Sequence, residues 1–230
     1  MDRAPPPLIF VVSDLHLGNE YFFHDNFLSW LEDLPEGAGL VLNGDIIDSP
    51  GAALEGEHRQ VLERLVAESY SRLVVWVYGN HDWDVELEDS GQIQFAPHWE
   101  IERRLLILHG DRLDDLMPRH SIFKSTFKLL HRAGVFVGFP DVHVAKYAKK
   151  WDFLYRVLNE HVARKAVKRA VHFGFAAVAC GHTHASMDMV RDGTRYLNTG
   201  AWTEEPHYYL AVTGTEINLF SYQGTATTPN

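Results

Sequence analysis

The chain has 230 residues, of which 46% are hydrophobic and 23% charged, a composition that excludes a disordered or fibrous protein and predicts a globular one. With 21 basic and 31 acidic residues its net charge is -10, which argues against nucleic acid as a partner, because such binders neutralise many phosphates. The single cysteine, Cys180, excludes an internal disulfide and favours a reducing, cytoplasmic location, and no apolar run reaches the ~18 residues of a membrane span.

Five short apolar segments, each followed directly by polar residues, predict buried strands. In chain order they are residues 8–12, 40–42, 73–78, 105–108 and 176–180. Between the first three strands, apolar residues recur at helical spacing over 23–34 and 57–68. Shorter strands with alternating apolar residues follow residue 186. This order predicts one α/β domain over residues 1–230, with its ligands at the carboxyl ends of the strands.

The segment 112–172 does not follow this pattern of apolar strands and polar strand ends. It carries 13 basic and five acidic residues, a charge of +8, whereas the rest of the chain is -18. Apolar residues recur at helical spacing over 122–130 and 144–162, with a glycine-flanked apolar loop at 135–139 between them. We predict a helical cap inserted into the α/β core, although the same apolar stripes would also suit helices that pack on the sheet.

Polar side chains with metal-ligand chemistry follow all five predicted strands. They are Asp14 with His16, Asp45, Asn80 with His81 and Asp82, His109, and His182 with His184. The two pairs Asp14/His16 and His182/His184 are two residues apart, which in extended backbone places both side chains on one side, as two ligands of one metal require. Each pair alone occurs often by chance, but their joint position at five strand ends indicates one site.

The donor set of this site combines carboxylate, imidazole and amide groups without thiolate, which suits Mn²⁺, Fe or Zn²⁺. Seven candidate ligands exceed the four to six that one ion takes, and a carboxylate such as Asp45 can bridge two ions. The sequence therefore predicts two divalent ions, an arrangement suited to in-line displacement at phosphorus.

This ordered series resembles the calcineurin-like metallophosphoesterase superfamily. The matching motifs are Asp14-Leu15-His16, Gly44-Asp45, Gly79-Asn80-His81-Asp82, His109 and Gly181-His182-Thr183-His184, which together span about 170 residues. The resemblance implies a four-layer α/β/β/α sandwich of two mixed sheets with a dinuclear site at the strand ends. It also implies metal-dependent hydrolysis of a phosphoester or pyrophosphate, with Mn²⁺ as the first expectation and Fe or Zn²⁺ as alternatives.

The resemblance further implies a role for each residue. Asp14, His16, Asp45 and His184 would hold one metal, and Asp45, Asn80, His109 and His182 the other, so that Asp45 bridges. A hydroxide held between the ions would attack phosphorus. His81 would contact the phosphoryl oxygen or protonate the departing oxygen, with Asp82 orienting its ring. Asp48 and Asp111 are candidates either for orienting ligands or for loop and cap positions.

Within the superfamily, the Asp-Leu-His-Leu opening, Leu108-His109-Gly110-Asp111 and the long insertion are similar to UDP-2,3-diacylglucosamine pyrophosphohydrolases of lipid A synthesis. That similarity implies a lipid-linked pyrophosphate cleaved to lipid X and UMP, with the enzyme peripheral to the inner membrane. Candidate substrate contacts in the insertion are Arg119, Lys124, Lys128, Lys146, Phe136 and Phe139. In that subfamily Gly-Asn-Arg-Asp is usual, where this chain has Gly-Asn-His-Asp.

Two further readings stay open at this point. One is a phosphodiesterase or phosphatase with a soluble nucleotide or phosphoprotein substrate, which would use the same metals. The other is a binding scaffold on a phosphoesterase fold, which some relatives have become by losing ligands, whereas every expected ligand is present here. The oligomeric state does not follow from the sequence.

Overall fold

The computed structural model describes residues 8–49, 51, 53–115 and 152–224, without the side chains of 152–154. Their strands form two mixed sheets. In spatial order the first contains β11 (Ile217–Tyr222), β10 (His207–Thr213), β1 (Leu8–Val12), β2 (Gly39–Asn43), β3 (Val74–Val77) and β4 (Gln94–Ala96). The second contains β5 (Trp99–Ile101), β6 (Leu105–Ile107), β7 (Ala177–Cys180), β9 (Thr194–Asn198) and β8 (Met187–Arg191).

Strand direction brings the polar strand ends together. The strands β1 to β4 run parallel in the first sheet, and β6, β7 and β9 run parallel in the second. Antiparallel pairing is confined to β10 and β11 in the first sheet and to the edge strands β5 and β8 in the second. The carboxyl ends of β1, β2, β3, β6 and β7 therefore carry the predicted ligands.

The central strands are buried on both faces, which explains their nearly continuous apolar sequences. In β1, Ile9 and Val11 point into the core between the two sheets, whereas Phe10 and Val12 point to the helices outside. Successive side chains of a strand alternate in this way. In β6 and β7 the alternation recurs, with Leu105 and Ala177 inside the sandwich and Val178 facing outward.

Helices cover the outer face of each sheet. On the first sheet lie α1 (His24–Glu32) and α2 (Gly56–Ser71), whose Trp30 and Leu65 join the outer core. On the second sheet lies α3 (Asp152–Phe173), which buries Ala163, Ala166 and Val167. The layers therefore run α/β/β/α, as the resemblance implied.

The predicted elements that fall on described residues agree with this structure except at two short strands. The five strands predicted from apolar runs and the short strands predicted after residue 186 are present, whereas β4 and β5 were missed because each has only three residues and is only partly buried. In the segment 112–172, α3 buries Leu158 and Val162 and packs on the second sheet. Residues 116–151 lie outside the described part of the chain, so the predicted cap stays a prediction.

Candidate metal centre

The seven candidate ligands and His81 meet at one end of the sandwich, in the loops that follow five strands. Most of these side chains are buried, with Asp14 fully inaccessible and His109 exposed to only 1%. Three sets of metal-ligating atoms occur among the described residues, and the first two share His16. They are Asp14/His16/His184, His16/Asp48/His81 and Asp45/His109/His182.

Five of the candidate ligands occupy the left-handed region of backbone space. Their φ angles are 54° at Asp14, 56° at His16, 53° at Asp45, 66° at His182 and 54° at His184. The expectation of extended backbone at the two ligand pairs was therefore wrong. Residues other than glycine reach this region at a cost of order 1–3 kcal/mol, and such residues cluster at functional sites. Asp and His tolerate it better than most residues.

The first cluster joins the loop after β1 with the loop after β7. His184 Nε2 lies 3.2 Å from Asp14 Oδ1 and 3.1 Å from His16 Nε2. The His16 Nε2 to Asp14 Oδ1 distance is 3.9 Å. Because the two loops belong to different sheets, this cluster crosses the sandwich.

The second cluster is formed by Asp45, His109, His182 and Asn80. Asp45 Oδ2 lies 3.2 Å from His109 Nε2, and His182 Nδ1 lies 3.0 Å from Asn80 Oδ1. His182 and His184 thus belong to different clusters, as the family resemblance implied, whereas the expectation from their spacing, that the pair would serve one metal, was wrong. The left-handed backbone turns the two rings apart.

The hydrogen bonds of His109 test whether a cation fits here. Its Nδ1 lies 2.8 Å from the carbonyl oxygen of Asn43, which can only accept, so Nδ1 carries the proton. Either a second proton on Nε2 or a bound cation can then balance the Asp45 carboxylate, whose Oδ2 lies 3.2 Å from Nε2. Among the described residues this buried Nε2 has no hydrogen-bond partner. A cation between Nε2 and Asp45 would satisfy both acceptors, so the residues fit a metal ion.

Three glycines leave the space that the ligand side chains occupy. A Cβ on Gly79 would overlap the Asp45 carboxylate, one on Gly181 would overlap the Asp14 carboxylate, and one on Gly44 would overlap the His109 ring. Each glycine precedes a residue of the site in the motifs. The site therefore requires glycine at these positions for steric reasons.

The electrostatics keep the carboxylates ionised. Burial raises the pKa of Asp45, but the adjacent His109, followed by His81 and His16, holds that pKa well below its usual range. Burial also raises the pKa of Asp14, but His109 and His184 outweigh it, so that this pKa is lowered. Ionised carboxylates are the form that binds metal.

His81 stands at the accessible side of the clusters, with its side chain 22% exposed. Its backbone N–H donates to Asp45 Oδ1 at 2.8 Å, and its Nε2 lies 4.0 Å from Asp45 Oδ2. The Nδ1 atom lies 2.5 Å from the carbonyl oxygen of Asp48. The backbone of Asp48 therefore fixes the ring, while Nε2 faces the site.

Asp82 has contacts of a different kind. Its carboxylate accepts hydrogen bonds from the backbone N–H groups of Gly79 and Ile46, each at 2.7 Å, and from Trp76 Nε1 at 3.1 Å. None of these three contacts is with the ring of His81, which Asp82 was expected to orient. The contacts make Asp82 an anchor between the loops that carry Asp45 and His81.

Two further carboxylates orient the rings of candidate ligands, each through a ring nitrogen. Asp48 Oδ1 lies 3.0 Å from His16 Nδ1. Burial raises the pKa of Asp48, but this contact and the charges of His16 and His81 outweigh burial, so that the pKa of Asp48 is lowered. Asp114 Oδ2 lies 3.0 Å from His182 Nε2. Sequence reasoning named Asp48 but overlooked Asp114, because nothing in the sequence distinguishes it from Asp111 and Asp115.

The predicted substrate contacts lie outside the described residues. They are Arg119, Lys124, Lys128, Lys146, Phe136 and Phe139. Among the described residues no helix has the length and hydropathy to cross a membrane.

Comparison with known families agrees with this geometry. The family described as calcineurin-like phosphoesterase matches residues 7–186, which include every candidate ligand. The chain belongs to this family, and its described clusters accord with metal-dependent phosphoester hydrolysis. A search of curated protein sequences gave no match.

Several solved structures are similar to the chain at low sequence identity. A point mutant of a cold-active protein tyrosine phosphatase is similar at 14% identity and a TM-score of 0.50, over 95% of this chain and 81% of that one. Vacuolar protein sorting 29 from Cryptosporidium parvum has 14% identity and a TM-score of 0.49, over 99% and 96%. The phosphoesterase YfcE from E. coli has 16% identity and a TM-score of 0.45, over 94% and 100%.

Proposed function

We propose that the protein is a dinuclear metal-dependent hydrolase of phosphoester or pyrophosphate bonds. The position of Asp45 is the observation that carries the proposal. Its Oδ2 lies 3.2 Å from His109 Nε2 in one cluster. Its negative charge also contributes to the raised pKa of His16 in the other cluster. A carboxylate between two sets of ligands is suited to bridging two cations.

Bound divalent ions would lower the pKa of a coordinated water toward neutrality and offset charge on the phosphoryl oxygens. The chain supplies the remaining functions. Asp14, Asp45 and the ligand histidines orient and charge-balance the site, and their burial excludes bulk water. His81 Nε2 faces the site from its accessible side and is placed to hold the proton that the departing oxygen takes.

For the substrate, we propose a lipid-linked pyrophosphate, UDP-2,3-diacylglucosamine, hydrolysed to lipid X and UMP. The charge of the segment 112–172 supports this proposal, because the segment is basic in an otherwise acidic chain. In its described part, the outward face of α3 exposes Arg164 and Lys168 together with Val157 and Val171. Basic and apolar side chains on one helix face suit peripheral contact with an anionic membrane, such as the cytoplasmic leaflet.

The alternative is a phosphodiesterase or phosphatase acting on a soluble nucleotide or phosphoprotein. It is favoured by His81, because an imidazole at this position matches the general phosphoesterase pattern. A scaffold without catalysis, the third reading, has no need of two ions. Metal content of the purified protein therefore separates the scaffold from both enzymes.

The test compares UDP-2,3-diacylglucosamine with bis-p-nitrophenyl phosphate, with added Mn²⁺ and a chelator control. Preference for the lipid with release of UMP supports the pyrophosphate proposal, and turnover of the diester alone points to soluble substrates. As a further check, replacing Phe136 and Phe139 with Ser should weaken lipid turnover and spare the small diester. Equal loss on both substrates would contradict a substrate-binding cap.

A further inference from the structure

The peptide at Thr183 connects the two metal-ligand clusters. Its neighbours His182 and His184 belong to different clusters, and both have left-handed backbone, with φ of 66° and 54°. The conformation of this short turn therefore sets the positions of one ligand in each cluster at once. A small rotation of the Thr183 peptide would move both imidazoles.

Two side chains from different elements form hydrogen bonds with this turn. From the end of β9, the buried Asn198 donates through Nδ2 to the carbonyl of Gly181 at 2.8 Å and contacts Thr183 Oγ1 at 3.2 Å. From α3, the hydroxyl of Tyr155 donates to the carbonyl oxygen of Thr183 at 2.6 Å. The contact from Tyr155 thus acts on the peptide that joins the two ligands.

The environment of Tyr155 keeps its hydroxyl a donor. Burial, followed by the charge of Glu204, raises the pKa of Tyr155, so the phenol keeps its proton at neutral pH. Thr183 is itself buried, at 5% exposure. A buried carbonyl that loses its donor is destabilised, and rotation of the peptide toward another donor would relieve this.

We propose that Tyr155 is a positioning residue for both metal sites, acting through the Thr183 carbonyl on His182 and His184. The inference rests on the proposed function in one respect, that the two clusters hold ions. Residues that orient metal ligands from behind alter metal affinity by about 10–100-fold when they are removed. Because Tyr155 acts on a shared peptide, we expect both ions to be affected.

The test is Tyr155→Phe, which removes the hydroxyl and keeps the ring. The matched control is Tyr70→Phe, the same change at an exposed position on α2. Mn²⁺ titrations of the metal-free proteins by calorimetry give the number of ions and both dissociation constants. The absorption spectrum of the Co²⁺-loaded proteins reports ligand geometry, and thermal unfolding of the metal-free proteins reports folding.

We expect both Mn²⁺ dissociation constants to rise by about 10–100-fold in Tyr155→Phe, with an altered Co²⁺ spectrum and no change in the control. A lower melting temperature with unchanged dissociation constants and spectrum would overturn the inference, because it would make Tyr155 a packing residue only. If the wild-type protein binds two ions and only one constant changes, the shared-peptide argument fails while the proposed function stands. No metal binding by the wild-type protein would overturn both.

Discussion

The Nε2 atoms of His16 and His184 lie 3.1 Å apart, although one residue follows β1 of the first sheet and the other follows β7 of the second. Asp14 completes this cluster, with its Oδ1 at 3.2 Å from His184 Nε2. An ion bound by these three side chains would therefore connect the two sheets. Metal binding and folding should be coupled in this protein, since the unfolded chain does not assemble such a site.

We accordingly expect Mn²⁺ to raise the melting temperature, because a ligand at 100 times its dissociation constant stabilises the folded state by about 2.7 kcal/mol. His184→Ala should lose most of this gain, whereas His98→Ala, at an exposed histidine outside the clusters, should keep it. Calorimetric unfolding with and without Mn²⁺ measures the effect. An equal gain in wild type and His184→Ala would place the ion elsewhere.

His81→Ala should lower kcat by about 10²–10⁴-fold, as expected when a group that transfers a proton to the leaving oxygen is lost. Its Nε2 is 4.0 Å from Asp45 Oδ2, so the ring borders the clusters. Metal content, measured by elemental analysis, should stay near the wild-type value. Loss of one ion together with the activity would instead identify His81 as a ligand, in keeping with its place beside His16 and Asp48.

Asp114→Asn should weaken metal binding by about 10–100-fold, because the ring of His182 loses the carboxylate that faces its Nε2. Asp115→Asn, one residue further, is the control: Asp115 is exposed and pairs with Lys165 on α3. Mn²⁺ calorimetry on the metal-free proteins gives both constants. Equal effects of the two variants would show that general charge, not the contact with His182, determines the affinity.

Gly79→Ala should destabilise the protein by about 1–3 kcal/mol and impair metal binding, because the added Cβ would overlap Asp45 and force its carboxylate to move. Gly214→Ala is the matched control, since a Cβ there meets nothing within 4 Å. Its effect should stay within about 0.5 kcal/mol. Denaturant unfolding and Mn²⁺ titration check both parts, and wild-type metal affinity in Gly79→Ala would contradict the steric argument.

His207 predicts a pH dependence of stability away from the metal centre. It stacks on Trp202 with ring centroids 4.8 Å apart, and the Asn26 amide lies 3.0 Å from its Nε2. Burial lowers the pKa of His207, outweighing the opposite effects of Glu205 and the Glu204 backbone. The unfolded chain, with a histidine pKa near ~6.5, therefore binds a proton more readily than the folded one.

It follows that the free energy of unfolding falls as the pH drops below ~6.5 and is regained above it. In His207→Gln the difference in stability between pH 8 and pH 5 should be smaller than in wild type, because this proton uptake is removed. Urea unfolding across that range measures the slope, with His98→Gln as the exposed control. An unchanged slope in His207→Gln would mean that the folded state accepts the proton on His207.

The sequence by itself determined the buried strands and the set of candidate ligands. Strands buried on both faces need nearly continuous apolar runs, so β1, β2 and β3 stand out without any structure. The polar residues that follow them, such as Asp14 and Asp45, then mark one edge of the sheet. Short strands such as β4 carry too few buried residues to give that signal.

Spacing alone did not separate the ligands into two clusters, and only the tertiary structure decided which backbone and side chains hold them. The spacing of His182 and His184 suggests one pair of ligands, but their left-handed backbone places them in different clusters. Asp114 and Tyr155 come from segments distant in sequence, and their roles depend on where α3 and the loop after β6 pack. Local patterns report backbone and burial, whereas contacts across the chain arise only when the sheets close on each other.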